Sequence, residues 1–349
     1  MTETSPVMNR AYRIDNAILR RRASRARDKG FTAVVIPYTG YGSTTWVRVL
    51  GRVLLSRDQQ RPEVEPAGAR GWRSFTSIPV QHAEVEVTVG DQTSTVTADG
   101  SGIVDVVVEG SLPPGWQRIE LTVEGSAPVH SNVFIVADDI EFGVVSDIDD
   151  TVMVTALPRP MLAAWHTFVV NEHARATTPG MPVLYERLVN RYPGAPVIYL
   201  STGAWNVAPT LTRFLSRNLY PPGALLLTDW GPTAQRWFRS GQEHKASNLE
   251  RLSREFPKIK WLLIGDDGQH DPEIYGAFLR AHPDHVRAVC IRELSPGEAV
   301  LAGGSTGGKS PEGTAAAPWR LAPDGAALAE ELEDVGVLEE ATRQPEAQI

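Results

Sequence analysis

The apolar pattern of this chain changes period near Asp138, and that change limits the fold more than any other feature. From about 31 to 137 the period is two. Phe31–Tyr38, Trp46–Leu55, Ala83–Val89, Ile103–Glu109, Arg118–Glu124 and Asn132–Ala137 are short β-rich runs separated by Gly, Pro, Asp and Ser. In Glu84-Val85-Glu86-Val87-Thr88-Val89 the valines alternate with polar residues, and Ile119–Glu124 repeats the pattern. Such alternation buries one face of a strand and wets the other, as in antiparallel sheets. The spacing predicts an antiparallel β-sandwich of immunoglobulin-like or transthyretin-like kind over 31–138, an accessory domain with nothing catalytic in it.

Beyond Asp138 the strands become continuously apolar: Phe142–Ser146, Val197–Ser201, Ala224–Thr228, Trp261–Gly265 and Val286–Ile291. Helical stretches at about 160–174, 181–191, 206–218, 244–255 and 273–281 separate them. This alternation predicts an α/β domain over 139–302, a parallel sheet covered by helices on both faces. In open sheets of that kind the active site lies beyond the carboxyl ends of the strands. Residues 1–30 read as a basic N-terminal helix, and 303–349 as a flexible acidic tail in which Asp324–Leu338 could form one short helix.

Charge is distributed unevenly. The net charge is −8, yet residues 1–80 carry 14 Arg or Lys against 6 Asp or Glu. Within 8–29 there are 8 basic residues and 2 acidic ones. Such a helix can rest on an anionic membrane surface or on nucleic acid; Ala11, Ile14 and Ile18 form the stripe of the opposing reading, a helix packed on the next domain. The single cysteine, Cys290, excludes an internal disulfide framework and any multi-cysteine zinc site. No apolar run reaches the roughly 20 residues that span a bilayer, and no apolar signal segment opens the chain. The expectation is a cytoplasmic protein, with peripheral membrane contact open to it.

The chemistry concentrates at strand ends. Phe142–Ser146 runs into Asp147-Ile148-Asp149-Asp150-Thr151, and carboxylates this close raise one another's pKa unless a cation neutralises them. A hard dication such as Mg²⁺ is the natural remedy, since it takes oxygen ligands. The bland alternative is an acidic loop opening a helix. A second apolar strand, Trp261–Gly265, leads into Asp266-Asp267-Gly268-Gln269-His270-Asp271, and two such clusters in one parallel sheet can share one metal. A third strand ends in Ser201-Thr202-Gly203, offering a hydroxyl and backbone N–H groups. Lys245, one of only 5 lysines, opens the helix before the Trp261 strand, where an ammonium can neutralise a phosphate and a carboxylate.

In their order these residues resemble the haloacid-dehalogenase-like phosphatases: Asp147-x-Asp149-x-Thr151, then Ser201, then Lys245, then Gly265-Asp266 with Asp271. More narrowly, Asp147–Thr151, Leu226–Gly231 and Gly265–Tyr275 resemble the catalytic domain of the actin-patch-associated phosphatidate phosphatases. The forward stretch Ile36–Gly42 with Gly51-Arg52-Val53 adds to that resemblance. Ser201-Thr202-Gly203-Ala204-Trp205 departs from the family's usual Ser-x-Ser-Pro-Trp. The resemblance implies a Rossmann-like sheet and a Mg²⁺-dependent phosphatase. In it Asp147 is the nucleophile and Asp149 the general acid and base. Asp147, Asp149 through its backbone carbonyl, Asp266 and Asp271 hold the metal. Ser201, Thr202, Gly203 and Lys245 bind the phosphoryl oxygens. Asp150 is expected to face away or cap a helix.

A small cap over 152–195 carries Trp165, His166, Phe168 and His173, and a later loop carries Trp230 and Trp237. Exposed aromatics beside a phosphate site suit an acyl chain or a membrane interface. The reading is therefore phosphatidate or a related lipid phosphate as substrate, with no nucleic-acid partner. A soluble phosphoester, or a non-catalytic phosphoester-binding adaptor, is the alternative.

Overall fold

The computed structural model describes residues 21–57, 78–154, 176–228, 234–268, 270–302, 304–305, 307–312 and 316–340, with backbone only over 234–240. The chain divides into two compact units, Met1–Asp138 and Asp139–Ile349. Of the N-terminal basic helix, residues 21–27 are helical, and the first 20 residues lie outside the described set. So do the expected helix at 160–174, the aromatics of the cap, and Trp230.

The first unit is built from β1 (Thr32–Ser43), β2 (Trp46–Ser56), β3 (Ile78–Pro79), β4 (Glu84–Val89), β5 (Gln92–Thr97), β6 (Ile103–Glu109), β7 (Gly115–Val123) and β8 (Val129–Val136). They form one 8-stranded sheet in the order β3-β2-β1-β8-β7-β4-β5, with β6 on β2, curled round one core. The valines of β4 are buried while Glu84 and Glu86 are exposed, so the period-two pattern sorts the faces as expected. Val47, Val49, Val53, Val85, Val87, Val104, Leu121 and Val133 fill the interior. Across β7 and β8, Trp116 faces Phe134 with ring centroids 5.0 Å apart, edge to face.

Two details correct the sandwich reading. The hydrogen-bonded path is continuous rather than split between two sheets. One pairing, Gly40–Ser43 of β1 against Val133–Val136 of β8, is parallel. Parallel neighbours need only a long connection between them, and six strands intervene here. A period count registers neither which strands meet nor in which direction.

In the second unit β9 (Phe142–Ser146), β12 (Val197–Ala204), β13 (Ala224–Thr228), β14 (Lys260–Asp266), β15 (Val286–Arg292) and β16 (Trp319–Ala322) form a 6-stranded sheet in the order β13-β12-β9-β14-β15-β16. Every neighbouring pair is parallel. All residues of β9 and β13 are buried, which is why these strands read as unbroken apolar runs. The small pair β10 (Met153–Val154) and β11 (Ala176–Thr177) follows β9. The helices are α1 (Met181–Arg191), α2 (Ala208–Arg217), α3 (Ala234–Glu255), α4 (Asp271–Ala281), α5 (Pro296–Ala302) and α6 (Gly325–Asp334). From β9 the chain lays β12 and β13 on one side, then crosses to β14 and β15 on the other. The crevice between β9 and β14 is thus the switch point where ligands settle in open α/β sheets.

The expectation of a flexible tail is overturned. β16 adds an edge strand to the sheet through Val289↔Trp319 and the following pairs. The Asp324 carboxylate caps α6 by accepting from Ala326 N and Ala327 N, 3.0 Å each, and Leu328 and Leu332 are buried. Arg187 of α1 donates to Glu333 at 2.5 Å and to the Glu339 carbonyl at 2.7 Å. The Gly/Ser/Pro-rich composition marks a real connection after α5, but a four-residue strand is too short to announce itself.

Candidate active site

The first carboxylate loop continues the sheet for one step past β9. Asp147 N donates to the Ile264 carbonyl at 2.9 Å, which fixes where the Asp147 side chain leaves the strand. Val152 N and Met153 N both return to the Ile148 carbonyl at 3.0 Å, and Asp150 N reaches Met153 O at 2.8 Å. The chain therefore doubles back within a few residues, and Asp150 sits at φ 62°. Such a left-handed conformation at a residue with a Cβ costs on the order of 1–3 kcal/mol and persists only when its surroundings enforce it. Asp150 is buried in this turn, and the element that follows is β10, so it caps no helix. Asp149, on the same turn, accepts from Ser201 Oγ at 3.0 Å.

The second loop leaves β14, hydrogen-bonded beside β9. The Asp266 carboxylate accepts from Gly268 N at 2.8 Å, and Asp271, opening α4, folds back toward Asp266 N at 3.4 Å. Gly265 makes that fold possible: a Cβ there would lie 2.5 Å from Asp271 Oδ2 and 2.8 Å from the Tyr275 ring. Tyr275 in turn donates to the Ile264 carbonyl at 3.1 Å. From α3, Lys245 Nζ donates to Asp147 Oδ1 at 2.7 Å and to Asp271 Oδ1 at 2.6 Å. Asp147, Asp266 and Asp271 are thereby gathered so that one carboxylate oxygen from each lies within 4.8 Å of the other two.

All of these groups are buried, and burial decides their electrostatics. It drives the pKa of Asp147 well above the usual carboxylate range; Lys245 opposes this, while Asp271 and Asp149 reinforce it. Burial raises Asp266 likewise, joined by the charges of Asp271 and Asp147. Burial would strip the proton from Lys245, but the surrounding carboxylates outweigh it and hold the ammonium above the ordinary lysine value. One ammonium thus faces three carboxylates. Asp147 Oδ2 and Asp266 Oδ2 are both buried with no hydrogen-bond partner among the described residues. Two orphaned carboxylate oxygens in an all-oxygen donor set fit a hard dication, whose charge would also offset the cost of ionising them.

The other expected residues sort as follows. Ser201, Thr202 and Gly203 do not lie beyond a strand end, because β12 continues to Ala204. Ser201 Oγ donates to Asp149 and accepts from Gly203 N at 3.0 Å, so one of the expected free N–H groups is already used. The Thr202 carbonyl accepts from Thr228 Oγ1 at 2.8 Å. The carboxylate of Asp149 is not part of the three-carboxylate group. Asp267 points elsewhere: its oxygens accept from Leu294 N at 2.9 Å and Ser305 Oγ at 2.6 Å. His270 pairs with Glu273 at 3.1 Å on the surface. Trp237 lies on α3, in the stretch where only the backbone is described.

Sequence reading missed Arg292 altogether. It ends β15, is buried, and donates to the Asp150 carbonyl at 2.6 Å and to Glu298 at 2.7 Å. An arginine closing the apolar run Val286–Ile291, at the same end of the sheet as the carboxylates, was the available signal.

Part of the second unit matches a known family in sequence. Residues 142–293 match the family model of the phosphatidate phosphatase APP1 catalytic domain. The resemblance read from the motifs is therefore shown over this part of the second unit. Phosphatidate phosphatase APP1 of Saccharomyces cerevisiae is 25% identical over 201 residues, covering 56% of this chain and 34% of that protein. An uncharacterized protein of Schizosaccharomyces pombe is 26% identical over 160 residues, covering 46% of this chain and 26% of that protein. The chain thus matches about a third or less of the length of these relatives. Among solved structures, a carbohydrate acetylesterase from Xanthomonas citri aligns over 87% of this chain and 75% of its own. Its 10% identity and TM-score of 0.30 carry no argument about fold or chemistry.

Proposed function

We propose that this chain is a phosphoric monoester hydrolase acting on phosphatidate or a related lipid phosphate, with a haloacid-dehalogenase-like catalytic domain and an accessory domain built on one curled β-sheet. One observation carries the reading above the rest: the match to the APP1 catalytic domain spans the buried group of Asp147, Lys245, Asp266 and Asp271.

In this reading a carboxylate oxygen of Asp147 attacks phosphorus and the ester P–O bond breaks, leaving an aspartyl-phosphate on Asp147. Asp149 gives its proton to the departing alkoxide. It then takes a proton from the water that attacks phosphorus and frees Asp147. The bond from Ser201 Oγ holds the Asp149 carboxylate in place. Thr202 and, once its N–H leaves Ser201 Oγ, Gly203 meet the phosphoryl oxygens, while Ser201 still donates to Asp149; Lys245, already between Asp147 and Asp271, offsets the phosphoryl charge. Asp147, Asp266, Asp271 and the Asp149 carbonyl would hold Mg²⁺, which when bound offsets repulsion between the carboxylate nucleophile and the anionic ester.

A lipid substrate places the protein at a membrane surface. Among the described residues no helix is long and apolar enough to cross a membrane. The helical residues 21–27 pack through Ala26 and leave Arg21, Arg22, Arg25 and Arg27 exposed, a set suited to anionic lipid from the cytoplasmic side.

The test is phosphate release from phosphatidate in mixed micelles against soluble sugar and nucleotide monoesters, with Mg²⁺ and with EDTA. The expected result is Mg²⁺-dependent release with phosphatidate preferred, and none from Asp147→Asn. Equal or faster release from soluble esters would remove the lipid assignment. Steady-state turnover by the Asn variant would remove the nucleophile, and no release from any ester would favour a binding role.

A further inference from the structure

The aim of Asp149 depends on a turn that its own sequence does not favour. Asp150 holds a left-handed conformation, and nothing in Asp149-Asp150-Thr151 is a glycine that would adopt it freely. The hydrogen bond from Asp150 N to Met153 O closes the turn from one side. From the other side, Arg292 donates to the Asp150 carbonyl at 2.6 Å. Its guanidinium is itself held on every edge: Nε donates to the Pro323 carbonyl at 3.2 Å, and one terminal nitrogen to Glu298 Oε1 at 2.7 Å. Glu298 is fastened further by Ser295 N at 2.9 Å. An arginine buried to this degree, spending its planar fork on a carbonyl of the first carboxylate loop, is placed for geometry.

The backbone of the same residue reaches the second loop. Arg292 lies opposite Asp266 in the β14–β15 register, and its carbonyl accepts from Asp267 N at 3.0 Å. Arg292 is thus joined to both carboxylate loops, one by its main chain and the other by its side chain.

We infer that Arg292 is a positioning residue for the reaction: it locks the turn at Asp150 and so directs the Asp149 carboxylate toward the leaving oxygen. Glu298 and the Pro323 carbonyl hold Arg292 in that pose, giving the segment after β15 a part in catalysis without contact to substrate. The inference rests on the phosphatase reading above and adds a residue to it.

The experiment compares wild type with Arg292→Met on two esters. An alkyl phosphate such as phosphatidate needs a proton on its leaving oxygen, whereas p-nitrophenyl phosphate leaves readily without one. Misaiming the acid should lower the first step, read as single-turnover release of the leaving group, about 100-fold on phosphatidate with KM little changed, and on p-nitrophenyl phosphate by less than about threefold; the second step, in which Asp149 is the base for both esters, does not enter that reading. Equal losses on both esters, or a change confined to KM, would overturn the inference. Hydrogen exchange gives a readout independent of turnover: amides of 150–153 should exchange faster in Arg292→Met while those of β12 and β13 are unchanged. Unchanged exchange at 150–153 would also overturn it. Should the Met variant not fold, Glu298→Gln, which keeps the guanidinium but removes its charged partner, should show the same split between esters at about two- to tenfold. Its absence there would count against the inference equally. Failure of the wild type on every ester would instead overturn the phosphatase reading, while the exchange result would still decide whether Arg292 holds the turn.

Discussion

Among the described residues Lys245 is the one cation seen to bond the buried carboxylate group, so Lys245→Met is the sharpest perturbation of this molecule. Methionine keeps the apolar stem of the side chain and removes the ammonium, with its charge and both of its hydrogen bonds. The two ion pairs that disappear with it span 2.7 and 2.6 Å. At an effective dielectric constant of about 20 each is worth about 6 kcal/mol of gross Coulomb attraction. Most of that offsets the cost of burying Lys245 itself. The net loss is set instead by what remains, buried carboxylates with no partner, and such losses run to about 3–5 kcal/mol. For a unit of this size that corresponds to a fall of about 6–20 °C in Tm. The sign with pH follows from the raised pKa values of Asp147 and Asp266, whose folded forms hold protons more tightly than the unfolded chain. Their contribution to stability is therefore greatest in acid and falls as pH climbs past the usual carboxylate value of about 4. Without Lys245 that fall should steepen, so the variant should lie closest to wild type at pH 5 and furthest at pH 8. Mg²⁺ at a hundred times Kd should stabilise either protein by about 2.7 kcal/mol, and at saturation the gap should narrow by as much as the variant, one cation poorer, binds the ion more tightly than wild type. Calorimetry at both pH values, with EDTA and with Mg²⁺, makes the measurement. A loss under about 1 kcal/mol that ignores both pH and Mg²⁺ would refute the claim that Lys245 neutralises this group.

Gly265→Ala should push Asp271 off its bonds, because the new methyl would overlap Asp271 Oδ2 and the Tyr275 ring. The expected outcome is about 1–3 kcal/mol of destabilisation in urea titration, together with lost turnover. Wild-type stability with unaltered kcat would contradict the packing. Burial raises the Cys290 thiol to about 12. The native protein at pH 8 should therefore react with a thiol reagent at least about a hundredfold slower than the unfolded chain. Because the unfolded thiol ionises first, stability should decline between about pH 9 and 12, by at most roughly 1.4 kcal/mol per pH unit. That part of the decline should vanish in Cys290→Ala.

Much of this molecule is legible along the chain, and the residues show why. Val85, Val87 and Val89 announce their sheet because burial on one face demands alternation, and Phe142–Ser146 announces the parallel sheet because burial on both faces demands none. Asp147 and Asp266 are visible because charge at the end of an apolar strand is costly enough to require a reason. Arg292 was not visible, since its role lies in reaching a carbonyl 142 positions away in sequence. Nor was the extension of β12 past Ser201, which depends on the bulged pairing of Ala204 with Thr228.

The sequence by itself determined the two kinds of sheet, the place where one gives way to the other, and the residue types able to meet a phosphate and a metal. Those follow from local chemistry, the burial period of each strand and the cost of crowded charge. Only the tertiary structure decided that Asp147, Asp266 and Asp271 share one buried group bonded by the Lys245 ammonium. It also decided that β1 meets β8 in parallel, and that the segment after 302 completes the sheet instead of trailing from it. These are contacts between residues far apart in the chain, settled by which strands lie side by side and by what a missing Cβ at Gly265 lets approach.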